Sequence, residues 1–460
     1  MAVFTILSDV LSRSNLHPLS MMIPNVSHYW LRRAHVPACL LGEIIGPPDT
    51  REGLCLVDME IGDGYIIKLQ RARAEAEETE CPQIDLHKQL LFPGFIDIHT
   101  HLDKGHIWER SPNEDGTFEG ALKATAADVS RYYDPQDVYQ RFEFGLRCSY
   151  AHGTVALRTH IDSFAQQGEI GFEVFQALRQ AWQSRITLQG VCLVSVDYYQ
   201  TTAGIALADR MAAVGGILGG VAYQNPQLKA QLTQVFQLAQ ERHLALDLHV
   251  DETNDPQSQV LRQVAQLALE LDFKQPLLCG HCCSLGVQSP TRVAETLELV
   301  KQAGLGIVSL PLCNLYLQDR HQYHTPSWRG ITRVQEIRAQ QIPLALASDN
   351  CRDPFFAFGD HDVLEVLTQS VRIAHLDHPY GDWCRAVTHT AAQLMGLPHK
   401  GQISQWSEAD FIIFKARFFS ELFSRPQTDR QIVRGGRLQQ VVLPEYRELD
   451  NLVFPPKNWV

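Results

Sequence analysis

No apolar run in this 460-residue chain approaches the roughly 20 residues that a helix needs to cross a bilayer. The first twenty residues hold Asp9, Arg13 and His17 within their only apolar part, a pattern that does not fit a signal peptide. Basic charge is scarce as well. Lys and Arg number 40 against 52 Asp and Glu, a net −12, with no long run of either sign. Neither a basic groove for nucleic acid nor a membrane partner is expected. Cysteines in paired, regular spacing are missing. The eleven are scattered and odd in number, and Cys192, Cys279, Cys282, Cys283 and Cys313 fall inside apolar runs. Reduced, buried thiols in a cytoplasmic protein fit this better than a disulfide framework. Internal repeats and low-complexity segments are absent too.

What is present suits one large α/β domain with a smaller companion. Residues 23–90 are short β-like pieces with polar breaks, such as Ala38-Cys-Leu-Leu41 and Tyr65-Ile-Ile-Lys-Leu69. The tail, 400–446, has the same texture, with Asp410-Phe-Ile-Ile-Phe414 as its clearest piece. The two ends are expected to pair into one small β-sandwich. Met21 and Met22 offer alternative starts, so 1–22 is expected to be a non-native or disordered extension. The middle, 91–399, alternates. Eight apolar runs lie at 95–101, 154–161, 186–195, 217–223, 244–250, 276–282, 305–312 and 342–349. Stretches of helical period separate most of them, at 227–242, 257–271, 291–303 and 335–341, and two more follow at 361–376 and 383–396. That is the pattern of a (β/α)8 TIM barrel, with a doubly wound open sheet as the runner-up.

Chemistry-bearing residues end these runs. His99 and His101 close the first, His249 and Glu252 the fifth, His281 the sixth and Asp349 the eighth. The carboxyl ends of barrel strands are where catalytic groups collect. Side chains two apart on a strand share a face, so His99 and His101 can converge on one ion. His249 is the natural third ligand and Asp349 the fourth. Three imidazoles and one carboxylate suit one divalent metal, Fe²⁺ or Zn²⁺, with a position open for water. Such an ion lowers the pKa of bound water toward about 7. Glu252 would move protons between that water and a substrate. His281 would hydrogen-bond the developing oxyanion. The fourth run, Val221-Ala-Tyr-Gln-Asn225, carries no lysine of the kind that bridges two metals, so one ion is expected.

Two motifs are decoys. Cys279-Gly-His-Cys282 has thiol–disulfide spacing, but it ends an apolar run instead of opening a helix. The nucleoside-type zinc deaminases use His-x-Glu and Pro-Cys-x-x-Cys. Here His249 to Glu252 is one residue too long, and two extra residues part Pro276 from Cys279.

An ordered set of segments resembles the amidohydrolase superfamily, and within it the cytosine deaminase branch. It comprises Pro93-Gly-Phe-Ile-Asp-Ile-His-Thr-His-Leu-Asp-Lys104, Gly153-Thr-Val-Ala-Leu-Arg-Thr-His-Ile-Asp162, His249-Val-Asp-Glu252, Gly280-His281, Asn314-Leu-Tyr-Leu-Gln318, Arg329-Gly-Ile-Thr-Arg-Val334, Ser348-Asp349 and Asp353-Pro354. The resemblance implies a mononuclear hydrolase that attacks a cyclic amidine with metal-bound hydroxide and releases ammonia. It assigns the metal to His99, His101, His249 and Asp349, and the catalysis to Glu252 and His281 with Asp349. It places Ser195, Asn314, Gln318 and Phe355 toward a small heterocyclic substrate, and a homo-oligomer follows by analogy.

Three positions depart from the branch. Ser195 stands where a glutamine reads the pyrimidine edge, and a hydroxyl cannot make that paired contact. Phe355 replaces a tryptophan, and Asn350 an acid. Cytosine or a cytosine-like ring is the leading substrate. A related branch that removes alkylamines from triazines (ammelide-type substrates) shares His101-Leu-Asp-Lys104 and is the alternative. In that element Lys104 is either an ion-pair residue or part of the site. A non-catalytic barrel scaffold would be expected to lose ligands, and all six positions are kept.

Overall fold

The computed structural model describes residues 23–73, 79–440 and 442–453; the extension expected at 1–22 lies outside them. Five strands come first: β1 (His28–Pro37), β2 (Leu54–Gly62), β3 (Tyr65–Arg71), β4 (Gln83–Asp85) and β5 (Leu90–Pro93). Eight follow in the middle: β6 (Phe95–Thr100), β7 (Thr154–Asp162), β8 (Thr187–Leu193), β9 (Leu218–Ala222), β10 (Leu246–Val250), β11 (Leu277–His281), β12 (Gly306–Ser309) and β13 (Leu344–Leu346). Three close the chain: β14 (Phe411–Phe414), β15 (Gln431–Arg434) and β16 (Arg437–Leu438).

The middle eight are short, and five of them are buried at every residue. A strand with no exposed face needs cover on both sides, and a parallel barrel ringed by helices supplies it. β6, β7 and β8 pair in parallel, as do β9 through β13. Two seams close the cylinder. Thr100 bridges Asp349, and Val191 and Ser195 bridge Ile217 and Val221. All eight expected strands are therefore present, in the order expected.

The helices are less legible. Leu228–Glu241, Val260–Glu270, Pro290–Gln302 and Val334–Ala339 fall where periodicity puts them, and Val363–Ala374 follows the eighth strand. The run expected at 383–396 splits into a 3₁₀ turn, Trp383–Val387, and a short helix, His389–Leu394. The seventh apolar run ends its strand at Ser309, because Pro311 opens a helix, Pro311–Leu317. Phe118–Tyr132 and Pro135–Ala151 fill the first crossover and are not among the expected helices. Thr117 and Asp134 cap them, each accepting from backbone amides of the first turn.

Both chain ends build one sheet of order β16-β15-β14-β5-β1-β2-β3, with β4 beside β1. It curls until its two hairpin turns meet. Tyr29 Oη donates to the Gly436 carbonyl at 2.6 Å, and the Ala409 amide donates to the Gly64 carbonyl at 2.8 Å. The sandwich expected from the ends is thus a single coiled sheet around its own apolar core, which includes Leu31, Met59, Ile61, Phe411 and Val433. Pro93 and Gly94 carry the chain from this sheet into the barrel. A Cβ on Gly94 would lie 2.2 Å from Val155 Cγ1, so only glycine lets β7 come this close. Among the described residues no helix is long and apolar enough to cross a membrane.

Candidate metal centre and active site

Inward-facing polar residues recur with period two on the strands that meet at one rim of the barrel. β6 supplies Asp97, His99 and, just past its end, His101. β7 supplies Arg158, His160 and Asp162, and β10 supplies Asp247 and His249. Alternation on a buried strand sends all of these to the same interior.

Of the four residues expected as ligands, His99 lies beside the other three, while the donor atoms that group within 4.8 Å are those of His99, His160 and His249 and of His99, His281 and Asp349. The His99 ring centroid lies 5.4 Å from that of His101 and 4.6 Å from that of His249. Asp349 Oδ1 lies 3.2 Å from His101 Nε2 and 3.5 Å from His99 Nε2. Asp349 stands three residues beyond β13 at φ +63°, a backbone state that bulky residues avoid. Its amide donates to the His99 carbonyl at 2.8 Å, and Thr100 Oγ1 donates to its carbonyl at 2.9 Å. The neighbouring strand end therefore holds it in place. Asp97 adds a second tie, accepting from the Ser348 amide at 3.1 Å and hydroxyl at 2.5 Å.

These donors fit a divalent cation. Both ring nitrogens of His99 and of His249, and both Asp349 oxygens, are buried without a hydrogen-bond partner. Leaving such a group unsatisfied costs about 1–3 kcal/mol. Burial holds His99, His101 and His249 well below the usual histidine pKa, with neighbouring imidazoles or Lys104 adding to the effect. Neutral imidazole is the ligating form.

His160 is the residue that sequence reasoning missed. Its ring lies 3.8 Å from that of His99 and 4.9 Å from that of His249, and its ligand atoms group with theirs. Its Nε2 is also 3.5 Å from Asp247 Oδ1, and Arg158 pairs with the same carboxylate at 2.7 Å. His160 thus sits between the candidate ligands and a buried ion pair deeper in the barrel. The signal was its phase: it shares the inward face with Arg158 and Asp162.

Glu252 and His281 meet across the rim, with His281 Nδ1 3.3 Å from Glu252 Oε1. Asp251 fixes the loop that presents Glu252. Its carboxylate accepts from Ser258 Oγ at 2.6 Å and from the Val260 and Leu261 amides at 3.0 and 2.9 Å, capping the helix Val260–Glu270. Burial raises Glu252 well above the ordinary glutamate pKa, Asp349 adds to this, and Lys104 opposes it. Burial lowers His281 to about 4.

Of the expected substrate residues, Asn314 lies behind this pair. Its Nδ2 is 3.0 Å from His281 Nδ1 and 3.4 Å from Glu252 Oε1. An amide nitrogen so placed donates to both, which leaves the His281 proton on Nε2. Gln318 Nε2 donates to the Glu252 carbonyl at 3.5 Å and lines an adjoining cavity. Ser195 donates to the Asp197 carboxylate and lines the main cavity, as does Phe355. Lys104 is a buried partner of Asp162, at 2.6 Å, and its ammonium lies 5.7 Å from the Phe355 ring centroid. Asn350 turns its amide to Asp353 at 2.7 Å.

The main cavity, about 500 Å³, runs from His101, His249, Glu252 and Asp349 to the helix Phe118–Tyr132. That helix contributes Phe118, Leu122 and Val129, and Phe118 meets Phe355 edge-on at 5.7 Å. The outer wall is apolar and aromatic, and the floor holds the titratable groups.

A family model described as amidohydrolase family matches residues 178–442. The chain is 44% identical to a pterin deaminase of Rhizobium rhizogenes over 431 residues, covering 94% of this chain and 98% of that one. It is 23% identical over 378 residues to an N-isopropylammelide isopropyl amidohydrolase of Pseudomonas sp. strain ADP, covering 78% and 87%. The crystal structure of a 5-methylcytosine deaminase from Klebsiella pneumoniae superposes with a TM-score of 0.76 at 23% identity, covering 91% of this chain and 100% of that one. The last likeness is one of fold.

Proposed function

The chain belongs to the amidohydrolase family, and from that premise we propose that it is a metal-dependent deaminase of a cyclic amidine, with a fused-ring pterin as its substrate in place of cytosine. One observation carries the reaction class. A mostly buried glutamate, Glu252, faces His281 beside a cluster of imidazoles and Asp349 whose polar atoms lack partners.

In this reading His99, His101, His249 and Asp349 hold one Fe²⁺ or Zn²⁺. Such a cation supplies Lewis acidity, which makes water a nucleophile near neutral pH. The remaining work falls to the protein. Glu252, drawn toward its protonated form by burial, takes a proton as water adds to the ring carbon bearing the amino group. It returns that proton to the ring nitrogen and then moves another to the departing amine. The C–N bond breaks and ammonia leaves. His281, its Nδ1 occupied by Asn314, directs its Nε2 proton at the developing oxygen. His160, in contact with Asp247, buttresses the His99 ring. In this reading the catalytic barrel runs from Gly94 to about 399 and not from 91 as expected, because Leu91, Phe92 and Pro93 pair with Ile413, Ile412 and Phe411 in the companion sheet.

The substrate reading rests on the cavity and on the 44% relative. A volume of about 500 Å³ with Phe118 and Phe355 on its wall suits two fused rings better than one. Ser195 offers no paired donor and acceptor to a pyrimidine edge.

The test is a panel of pterin, cytosine and N-isopropylammelide with iron-loaded and zinc-loaded enzyme, reading ammonia and isopropylamine. Pterin is expected to release ammonia with a kcat/KM about 10²-fold above cytosine. Ammonia chiefly from cytosine removes the pterin assignment. Isopropylamine as the sole product removes the deaminase reading altogether.

A further inference from the structure

A second group of metal-type donors lies outside the proposed reaction site. His106 follows the first barrel strand, and Cys351 and His361 follow the eighth. All three side chains are buried, and one ligand atom from each falls within 4.8 Å of the others. The two Nε2 atoms face one another at 3.3 Å. Two nitrogens bound at 2.0–2.1 Å to a tetrahedral zinc ion stand about 3.3–3.4 Å apart. The pair is therefore already spaced as an edge of that tetrahedron.

The surroundings favour a ligand over a packing role. Both histidines hold positive φ, +60° at His106 and +54° at His361. Strain of that kind persists only where the surroundings over-determine it. A Cβ on Gly145 would stand 3.0 Å from His361 Nε2, so the missing side chain leaves that nitrogen its space. Phe144 covers the His106 ring at 4.8 Å. Burial keeps both imidazoles neutral, with His361 lowered to about 4.

We propose that His106, Cys351 and His361 form a second, structural Zn²⁺ site, distinct from the catalytic centre. Binding displaces the thiol proton to solvent and leaves the fourth position to water. The two imidazoles and one thiolate select a borderline-soft ion. The site joins the loop leaving β6 to the loop leaving β13. Those loops are already laced by backbone, with the His106 amide donating to the Cys351 carbonyl at 3.2 Å and the Ile107 amide to the Arg352 carbonyl at 2.9 Å. They descend from His101 and Asp349, so the clip would steady two ligands of the first site without touching substrate.

Cobalt(II) titration of the full chain, stripped of metal, separates the two sites. A thiolate ligand gives cobalt a near-ultraviolet charge-transfer band, and the proposed catalytic ligands include no thiolate. Wild type is expected to take two equivalents and to show the band; Cys351→Ser is expected to take one and to lose it. A single equivalent without the band in wild type overturns the proposal and leaves His106 and His361 as a hydrogen-bonded pair. A band that survives Cys351→Ser assigns the thiolate elsewhere and also overturns it. If Cys351→Ser does not fold, X-ray absorption of zinc-loaded wild type decides, with a sulfur scatterer at about 2.3 Å expected and only nitrogen and oxygen neighbours as the contrary result.

Discussion

At the scale of single residues, the site is a contest between burial and partnership. Asp349 is a buried carboxyl and Glu252 a mostly buried one, and desolvation pushes both up. A cation beside Asp349 resolves its charge. Glu252 has no ion of its own and remains free to carry a proton. Replacing Glu252 with Gln keeps the shape and removes the proton, so turnover is expected to fall by about 10²-fold or more. Metal content, read by elemental analysis, should not change. Asn314 acts through its neighbours. Truncation to Ala removes the amide that holds His281 Nδ1 and steadies Glu252. A hydrogen bond of this kind contributes about 1–1.5 kcal/mol. In steady-state kinetics kcat should therefore fall about tenfold with KM nearly unchanged; a change in KM alone would make Asn314 a substrate contact instead.

Elements matter through the way their ends aim these side chains. The barrel strands stop early, β12 at Ser309 and β13 at Leu346, so Asn314 and Asp349 stand on the segments beyond them while His99, His249 and His281 sit on the strands. Asp251 shows how a loop is made rigid. One carboxylate caps the helix Val260–Glu270 and sets the turn that carries Glu252. Asp251→Ala is expected to lower unfolding free energy by about 1–2 kcal/mol, the cost of losing a helix cap. It should also reduce kcat, because its neighbour loses its aim. Urea denaturation checks the first effect and steady-state assay the second. If stability drops while kcat holds, the cap is structural only.

For the whole molecule, two assemblies hold distant parts together. Phe92 of the sheet meets Phe95 of the barrel and Phe414 and Phe419 of the tail in edge-on contacts of 5.6–6.3 Å. Both chain ends are thereby fastened to the catalytic unit. On the other side, Asp137 accepts from Arg110 at 2.6 Å and from Arg141 at 2.7 Å, and Arg110 also reaches the Leu452 carbonyl at 3.2 Å. Burial alone would raise Asp137, but the two arginines more than reverse it and its pKa lies below the ordinary value. A lowered carboxyl contributes its full stability above its unfolded pKa, about 4, and loses it as pH falls through the folded value. Unfolding free energy should therefore decline below about pH 4. Asp137→Asn should lose about 3 kcal/mol at pH 7, since it strips buried Arg141 of its carboxylate while Arg110 keeps Asp128, and should decline less steeply in acid. Denaturant titrations at pH 7, 4 and 3 measure both. An unchanged acid slope would remove Asp137 as the cause.

The eight strands, their order, and the six residues at their ends were legible in the chain itself. Buried parallel strands are continuous apolar runs, and a polar residue ending such a run has few other reasons to be there. The helices Phe118–Tyr132 and Pro135–Ala151 were not legible, although the first walls the cavity with Phe118, Leu122 and Val129. His160 sat in a quoted motif, yet only closure of the barrel brought its ring to 3.8 Å from that of His99. Asn314 was expected toward the substrate, and only the folded chain shows its amide against Glu252 and His281. The pairing of His106 with His361 spans 255 positions and follows no local period. Local sequence determines which face of an element a side chain occupies, because that depends on backbone geometry alone. Which faces meet depends on how crossovers of unequal length pack, and tertiary structure alone decides it.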